Sequence, residues 1–198
     1  MACREPKYVV KVKTVIIGDG AVGKTTFAKA FLRDGGVVDT SYRQTIGADI
    51  HVKTVCYNVK PLGRIEFKWL VFDLAGQHYF RYVHKDYYHG AKAAIVMFDV
   101  SRNETLENLR LWISDFIKNV GKPLPMIIVG NKIDLRDEMV CVPPEAGMRY
   151  AEKLRESLGV PVMYAEASAL RGVNVHESFY NLAKILVEYA IKKGKKLV

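Results

Sequence analysis

Val9-Val10-Lys11-Val12-Lys13-Thr14-Val15-Ile16-Ile17 runs directly into Gly18-Asp19-Gly20-Ala21-Val22-Gly23-Lys24-Thr25, and this stretch decides the fold. The β-branched run predicts a strand ending at glycines. The helical spacing of Thr25 to Arg33 predicts a helix that stops at Asp34-Gly35-Gly36. Between them stands the full pattern G-x-x-x-x-G-K-[ST]. Glycines let a backbone turn its N–H groups around an anion, and a helix beginning near Lys24 adds the positive end of its dipole. At this spacing Lys24 reaches β- and γ-phosphates and the Thr25 hydroxyl takes Mg²⁺. The stretch predicts a nucleoside triphosphate site.

Outward from it, strands and helices alternate. Ile50 to Asn58 and Arg64 to Phe72 flank Pro61-Leu62-Gly63, so two strands joined by a hairpin turn are expected. Ala93 to Val100 and Met126 to Gly130 are short continuous apolar runs, the pattern of strands buried on both faces. Helical spacing returns over Glu104 to Asn119, with Leu106, Leu109, Ile113 and Phe116 on one face, and over Pro144 to Leu158 and Val173 to Lys193. Val160 to Ala165 reads as a last short strand. The alternation predicts a three-layer α/β fold with a mostly parallel sheet and one antiparallel edge strand. In such sheets ligands bind outside the carboxyl ends of the strands.

Composition sets the bounds. The chain has 198 residues, 49% hydrophobic and 26% charged, enough for one domain with a real core. The longest apolar run, Ala93 to Phe98, is far short of a membrane span, and the first residues hold no apolar signal-like stretch. Cys3, Cys56 and Cys141 are far apart and form no C-x-x-C pair, so neither a disulfide framework nor a zinc site is expected and a reducing cytosol fits. The net charge of +9 invites a nucleic-acid reading, but no interleaved aromatic-basic stripe supports one, and none is expected. His78, His84 and His89 match no metal-ligand spacing.

Two further strings complete the chemistry. Asp73-Leu74-Ala75-Gly76-Gln77 follows the strand through Leu70-Val71-Phe72. An acidic residue at a strand end can hold Mg²⁺ through water, Gly76 offers a close N–H to a terminal phosphate, and Gln77 can orient an attacking water. Asn131-Lys132-Ile133-Asp134 stands just past a buried strand. A carboxylate there accepts two parallel hydrogen bonds from guanine N1–H and its 2-amino group, a pair that adenine lacks. Asp134 selects guanine, Lys132 can lie along the base plane, and Asn131 braces neighbouring loops.

Together these motifs resemble the Ras superfamily of small GTPases, in order, from about Val9 to Tyr189. The match includes a switch I Thr in Tyr42-Arg43-Gln44-Thr45-Ile46-Gly47, and Glu166-Ala167-Ser168-Ala169-Leu170, similar to the loop whose N–H at Ala169 reads guanine O6. Thr45 to Ile50 and Tyr87-Tyr88-His89-Gly90-Ala91 are similar to Rab segments. The resemblance implies a P-loop NTPase G domain over residues 1–191, with a six-stranded sheet and five helices, and a short basic tail over 192–198. It implies GTP/GDP and Mg²⁺ as ligands. Nucleotide contacts would fall on Gly20, Ala21, Val22, Gly23, Lys24, Thr25, Thr26, Tyr42, Thr45, Gly76, Asn131, Lys132, Asp134, Ser168, Ala169 and Leu170. Metal contacts would fall on Thr25, Thr45 and Asp73, and catalysis on Gln77, Lys24 and Gly76.

By the same resemblance the chain is a monomeric, cytoplasmic switch meeting effector, exchange-factor and GTPase-activating proteins, with a role in membrane traffic. Ile50, Phe72 and Tyr87 or Tyr88 either form the patch that effectors read or pack the switches onto the sheet. The lysines of the tail either favour an anionic membrane surface or end a solvated helix. Three residues and the tail depart from the family pattern: Val38 where an aromatic usually edges the base, His78 where Glu usually follows the glutamine, Leu74 for a common Thr, and a tail without cysteine. Val38 and His78 keep open a second reading, a non-cycling nucleotide-bound scaffold. Asp134 and the lack of a lid or acceptor segment argue against an ATPase or kinase.

Overall fold

The computed structural model describes residues 6–33, 45, 47–76 and 81–194, the side chains of 81–84 excepted. Its six strands are β1 (Tyr8–Ile17), β2 (Ala48–Val59), β3 (Gly63–Leu74), β4 (Ala93–Asp99), β5 (Met126–Asn131) and β6 (Val162–Ala167). They form one sheet in the order β2-β3-β1-β4-β5-β6, with β2 antiparallel to β3 and every other pairing parallel. The helices are α1 (Lys24–Leu32), α2 (Arg81–Tyr88), α3 (Asn103–Glu107), α4 (Leu109–Val120), α5 (Pro144–Leu158) and α6 (Val175–Lys192). This is the expected three-layer architecture. Counting α3 and α4 as one interrupted helix gives the expected five.

The core divides by the pleat of the sheet. Ile95 and Met97 of β4 face the layer of α1 and α6, while Ala94, Val96 and Phe98 face the layer of α2, α4 and α5. A strand buried on both faces cannot alternate polar and apolar residues, which is why Ala93 to Phe98 reads as a continuous run. On the α1–α6 side an aromatic stack forms the centre. Phe179 lies parallel to Phe31 with centroids 3.5 Å apart and meets Trp69 edge-on at 5.3 Å. On the other side Tyr164 of β6 fills space left by two glycines. A Cβ at Gly147 of α5 would lie 2.2 Å from its ring, and one at Gly130 of β5 2.7 Å from its hydroxyl.

Two expectations are corrected. The single helix over 104–119 is broken at Asn108, whose side chain donates to Asp19 Oδ2 at 2.7 Å. That pull tightens the turn, so Leu111 N–H bonds to Asn108 O three residues back instead of four. Cys56 on β2 is disulfide-bonded and Cys141 is a free thiol. Spacing along the chain does not limit which segments a sheet sets side by side.

No helix among the described residues is long and apolar enough to cross a membrane. Replacing Phe179 by Ala is expected to lower unfolding free energy by about 3–5 kcal/mol. Guanidinium denaturation checks it, and a loss under about 1 kcal/mol would show that the aromatic stack is not a main packing element.

Candidate functional site

The loops after β1, β3, β4, β5 and β6 leave the same edge of the sheet. The loop after β1 bends through left-handed backbone at Ala21 (φ 60°) and Gly23 (φ 97°). At Gly23 only a glycine fits, because a Cβ would lie 2.3 Å from the Asn131 side-chain nitrogen. Gly23 caps α1 without any side-chain hydrogen bond, and the first turn holds no acidic residue. The leading N–H groups of α1 are thus left without a side-chain acceptor, an arrangement suited to an anion. Thr26 stands half-buried in that first turn.

Lys24 is 6% exposed, and its ammonium donates to the carbonyls of Gly18 (2.9 Å) and Asp19 (2.8 Å). Burial drives its pKa down from 10.5 to about 8; Asp73 and Asp19 oppose the fall, and the Arg102 charge adds to it. Gly76 closes over this group so tightly that a Cβ would lie 2.1 Å from Lys24 Nζ and 2.4 Å from Asp19 O. A Cβ at Gly20, by contrast, would meet only Gly76 O at 3.7 Å.

Beside the lysine, the Thr25 hydroxyl donates to Asp73 Oδ2 and lies 2.9 Å from the Thr45 hydroxyl. Asp73 is fully buried, and its Oδ1 has no hydrogen-bond partner among the described residues. Burial raises its carboxyl, against the Thr25 hydrogen bond and the Lys24 charge. Two hydroxyls and a carboxylate with an unused oxygen are a donor set suited to a hard divalent cation. No cluster of three or more His, Cys, Asp or Glu exists among the described residues.

Across the edge, Asn131 uses both ends of its amide. Nδ2 donates to Val22 O at 2.8 Å, and Oδ1 accepts from Ala169 N–H at 2.9 Å. Asp134 accepts a short hydrogen bond from the Ser168 hydroxyl, which also receives the Arg171 N–H at 3.1 Å. Leu170 lies on the outside of that loop, 45% exposed. Arg136 and Tyr164 converge on Glu166 behind it. Lys132, expected along the base plane, has its ammonium 2.7 Å from Asp99 Oδ2.

The structure therefore brings Gly20 to Thr26, Thr45, Asp73, Gly76, the Asn131 to Asp134 string and Ser168 to Leu170 to one edge. Tyr42 and Gln77 lie outside the described residues, as do Val38, Arg43 and His78. Leu74 is fully buried in the core, a packing role. Of the two tyrosines, Tyr87 packs on Phe72 with ring centroids 6.2 Å apart, Phe72 being itself buried and paired with the 55% exposed Ile50, whereas Tyr88 is buried against Phe116.

Sequence reasoning missed four neighbours of the site. Trp112 Nε1 and Asn108 Nδ2 donate to the Asp19 carboxylate at 2.6 and 2.7 Å. Arg102 bridges Asp99 Oδ2 and Gly20 O, both at 3.0 Å. A carboxylate ending the apolar run of β4 was a visible signal for Asp99. Nothing local marks Trp112, Asn108 or Arg102.

Comparison with known proteins identifies the family. The Ras family model matches residues 13–188. Ras-related protein RABA4b of Arabidopsis thaliana is 35% identical over 187 residues, 94% of this chain and 76% of that protein. Ras-related protein SEC4 of Saccharomyces cerevisiae is 33% identical over 89% of this chain and 75% of its own length. Ras-related protein Rab-37 of Homo sapiens is 32% identical over 91% and 75%. With a family match across nearly the whole fold that carries the glycine-rich loop and its buried lysine, the chain belongs to the Ras family of small GTPases, is Rab-like within it, and hydrolyses GTP.

Proposed function

We propose that the chain is a GTP/GDP-dependent switch, and that the residues gathered at the sheet edge are its nucleotide site. The observation that carries this is Lys24, an ammonium held in a buried pocket that depresses its pKa to about 8. Two backbone carbonyls are weak compensation for a buried cation. An anion at that place supplies the missing charge, and Gly20 to Thr26 surround it with loop backbone and the open end of α1.

Lys24 and the loop N–H groups would hold the β- and γ-phosphates and absorb charge on the transferring phosphoryl. Thr25, Thr45 and Asp73 would hold Mg²⁺, which would supply positive charge against the phosphates. The unused Asp73 Oδ1 and the 2.9 Å Thr25–Thr45 contact fit that role. Gly76, whose missing side chain admits Lys24, would present its N–H to the γ-phosphate, and Gln77 would orient the attacking water. Asp134, steadied by Ser168, would read guanine together with the N–H of Ala169. Tyr42 and Leu170 would flank the nucleotide.

Thr45 leads into β2 and Gly76 follows β3, so loss of the γ-phosphate would release both segments at the open end of the β2–β3 hairpin. Ile50 and Tyr87, with the buried Phe72 between them, lie close to that end and would be the surface that effectors read. Exchange and activating proteins would act on the same loops. The basic tail over 192–198 would add weak attraction to an anionic membrane surface, of about 1 kcal/mol per lysine close to it, consistent with a role in membrane traffic.

Two outcomes follow. The unfolded chain keeps the Lys24 proton up to about 10.5, whereas the folded, nucleotide-free chain loses it near 8, so the unfolded state binds more protons between those values. Stability without nucleotide should therefore rise with pH across that window, and Lys24→Met should flatten the rise. Melting temperatures at stepped pH measure it; equal slopes in both proteins would remove the argument. Single-turnover assays with labelled GTP and Mg²⁺ should show slow phosphate release, on the order of 10⁻⁴ to 10⁻² per second without a partner, diminished in Gln77→Leu and absent with ATP. Release from ATP as fast as from GTP would defeat the Asp134 assignment. Tight GTP retention without release would leave either an enzyme that needs its activating partner or the scaffold reading, for which Val38 and His78 are the motive.

A further inference from the structure

Asp99, at the end of β4 and 1% exposed, shares one oxygen between two cations: Lys132 Nζ at 2.7 Å and Arg102 Nε at 3.0 Å. Its other oxygen receives the Ser101 N–H (3.0 Å) and hydroxyl (2.7 Å). Burial alone would raise this carboxyl; the Lys132 and Ser101 hydrogen bonds outweigh it and hold the group below the ordinary carboxylate range. Arg102 has a second prong, Nη2, that donates to Gly20 O at 3.0 Å. A planar guanidinium spans two acceptors at once, whereas a lysine ammonium is a single head. The contacts thus run unbroken from Lys132 in the base-side loop, through Asp99 and Arg102, to Gly20 in the phosphate-side loop. Asn131 makes an independent tie at the opposite end of the same loop, through Val22.

We propose that Arg102 and Asp99 are positioning residues, an ionic strap that fixes the spacing between the base-side and phosphate-side loops and so sets how slowly bound guanine nucleotide leaves. The proposal rests on the nucleotide-site reading above. Gly20 O is gripped from outside the cradle, so the loop cannot widen without losing a charge-assisted bond. Lys132 cannot swing outward without leaving a buried carboxylate short of a cation. A nucleotide held at its base and its phosphates escapes only when the two loops part, and the strap opposes that motion. Arg102, with 36% of its side chain exposed, is the link that solvent reaches.

The test loads the full chain with fluorescent GDP in Mg²⁺ and chases it with excess unlabelled GDP. Arg102→Ala should release the label about tenfold faster or more, the worth of a hydrogen bond to a charged group. Arg102→Lys should fall between, because it can satisfy Asp99 or Gly20 but not both. Arg155→Ala, which removes an exposed arginine of α5, should match the wild type. Leu182→Ala, a buried change in α6 away from both loops, should lower the melting temperature of nucleotide-free protein without a comparable rise in release, which separates positioning from general loosening. Asp99→Asn should also speed release, and the double variant should be no faster than the faster single one. An unchanged release rate in Arg102→Ala overturns the strap. So do release from Leu182→Ala as fast as from Arg102→Ala, or additive effects in the double variant. Wild-type protein that fails to hold labelled GDP overturns the strap and the nucleotide-site reading together.

Discussion

A loop that turns its N–H groups toward an anion turns carbonyls the other way, and each buried carbonyl then needs a donor from elsewhere. The loop after β1 meets this demand with partners drawn from across the chain. Gly18 O and Asp19 O accept from Lys24, Gly20 O from Arg102, Val22 O from Asn131 and Gly23 O from the Phe27 N–H. The partners come from α1, the loop after β4 and the end of β5. Because the sheet delivers them to one edge, the loop can keep left-handed backbone at Ala21 without collapsing.

The same demand reaches into the helical layer. Asp19 turns its carboxylate outward to Trp112 and Asn108, and this contact interrupts what would be one continuous helix. Trp112 is itself fully buried, so the indole fills the core beneath the loop while its N–H points at the carboxylate. Packing and polar satisfaction are therefore not separable here. A side chain that stabilises the layer of α4 also fixes the pose of the loop above it.

Much of this was legible in sequence because it is local or periodic. The continuous run of β4, the Pro144 start of α5 and the glycine-rich loop each carry their structure within a few residues. Legibility stops where geometry depends on remote partners. Arg102 reads as an ordinary surface cation until β1 and β4 are set side by side, 82 positions separating it from Gly20. The choice between Tyr87 and Tyr88 is a matter of helical phase relative to Phe72, which sequence left open. Lys132 shows the limit within a motif: its string was recognised, but its ion pair with Asp99 depends on the alignment of β4 with β5.

Tyr164 occupies volume that the side chains of two other segments would otherwise fill. With Gly147 and Gly130 both abutting it, the three positions form one steric unit drawn from β5, α5 and β6. Even an alanine would overlap the Tyr164 ring at position 147, or its hydroxyl at position 130, unless the tyrosine moved. Shortening Tyr164 first would open a void and strip Glu166 of the Tyr164 hydroxyl bond at 2.9 Å. Sequence drift at this corner is thus ordered: a descendant that changes one of the three must pass through a less stable ancestor before it can change the next.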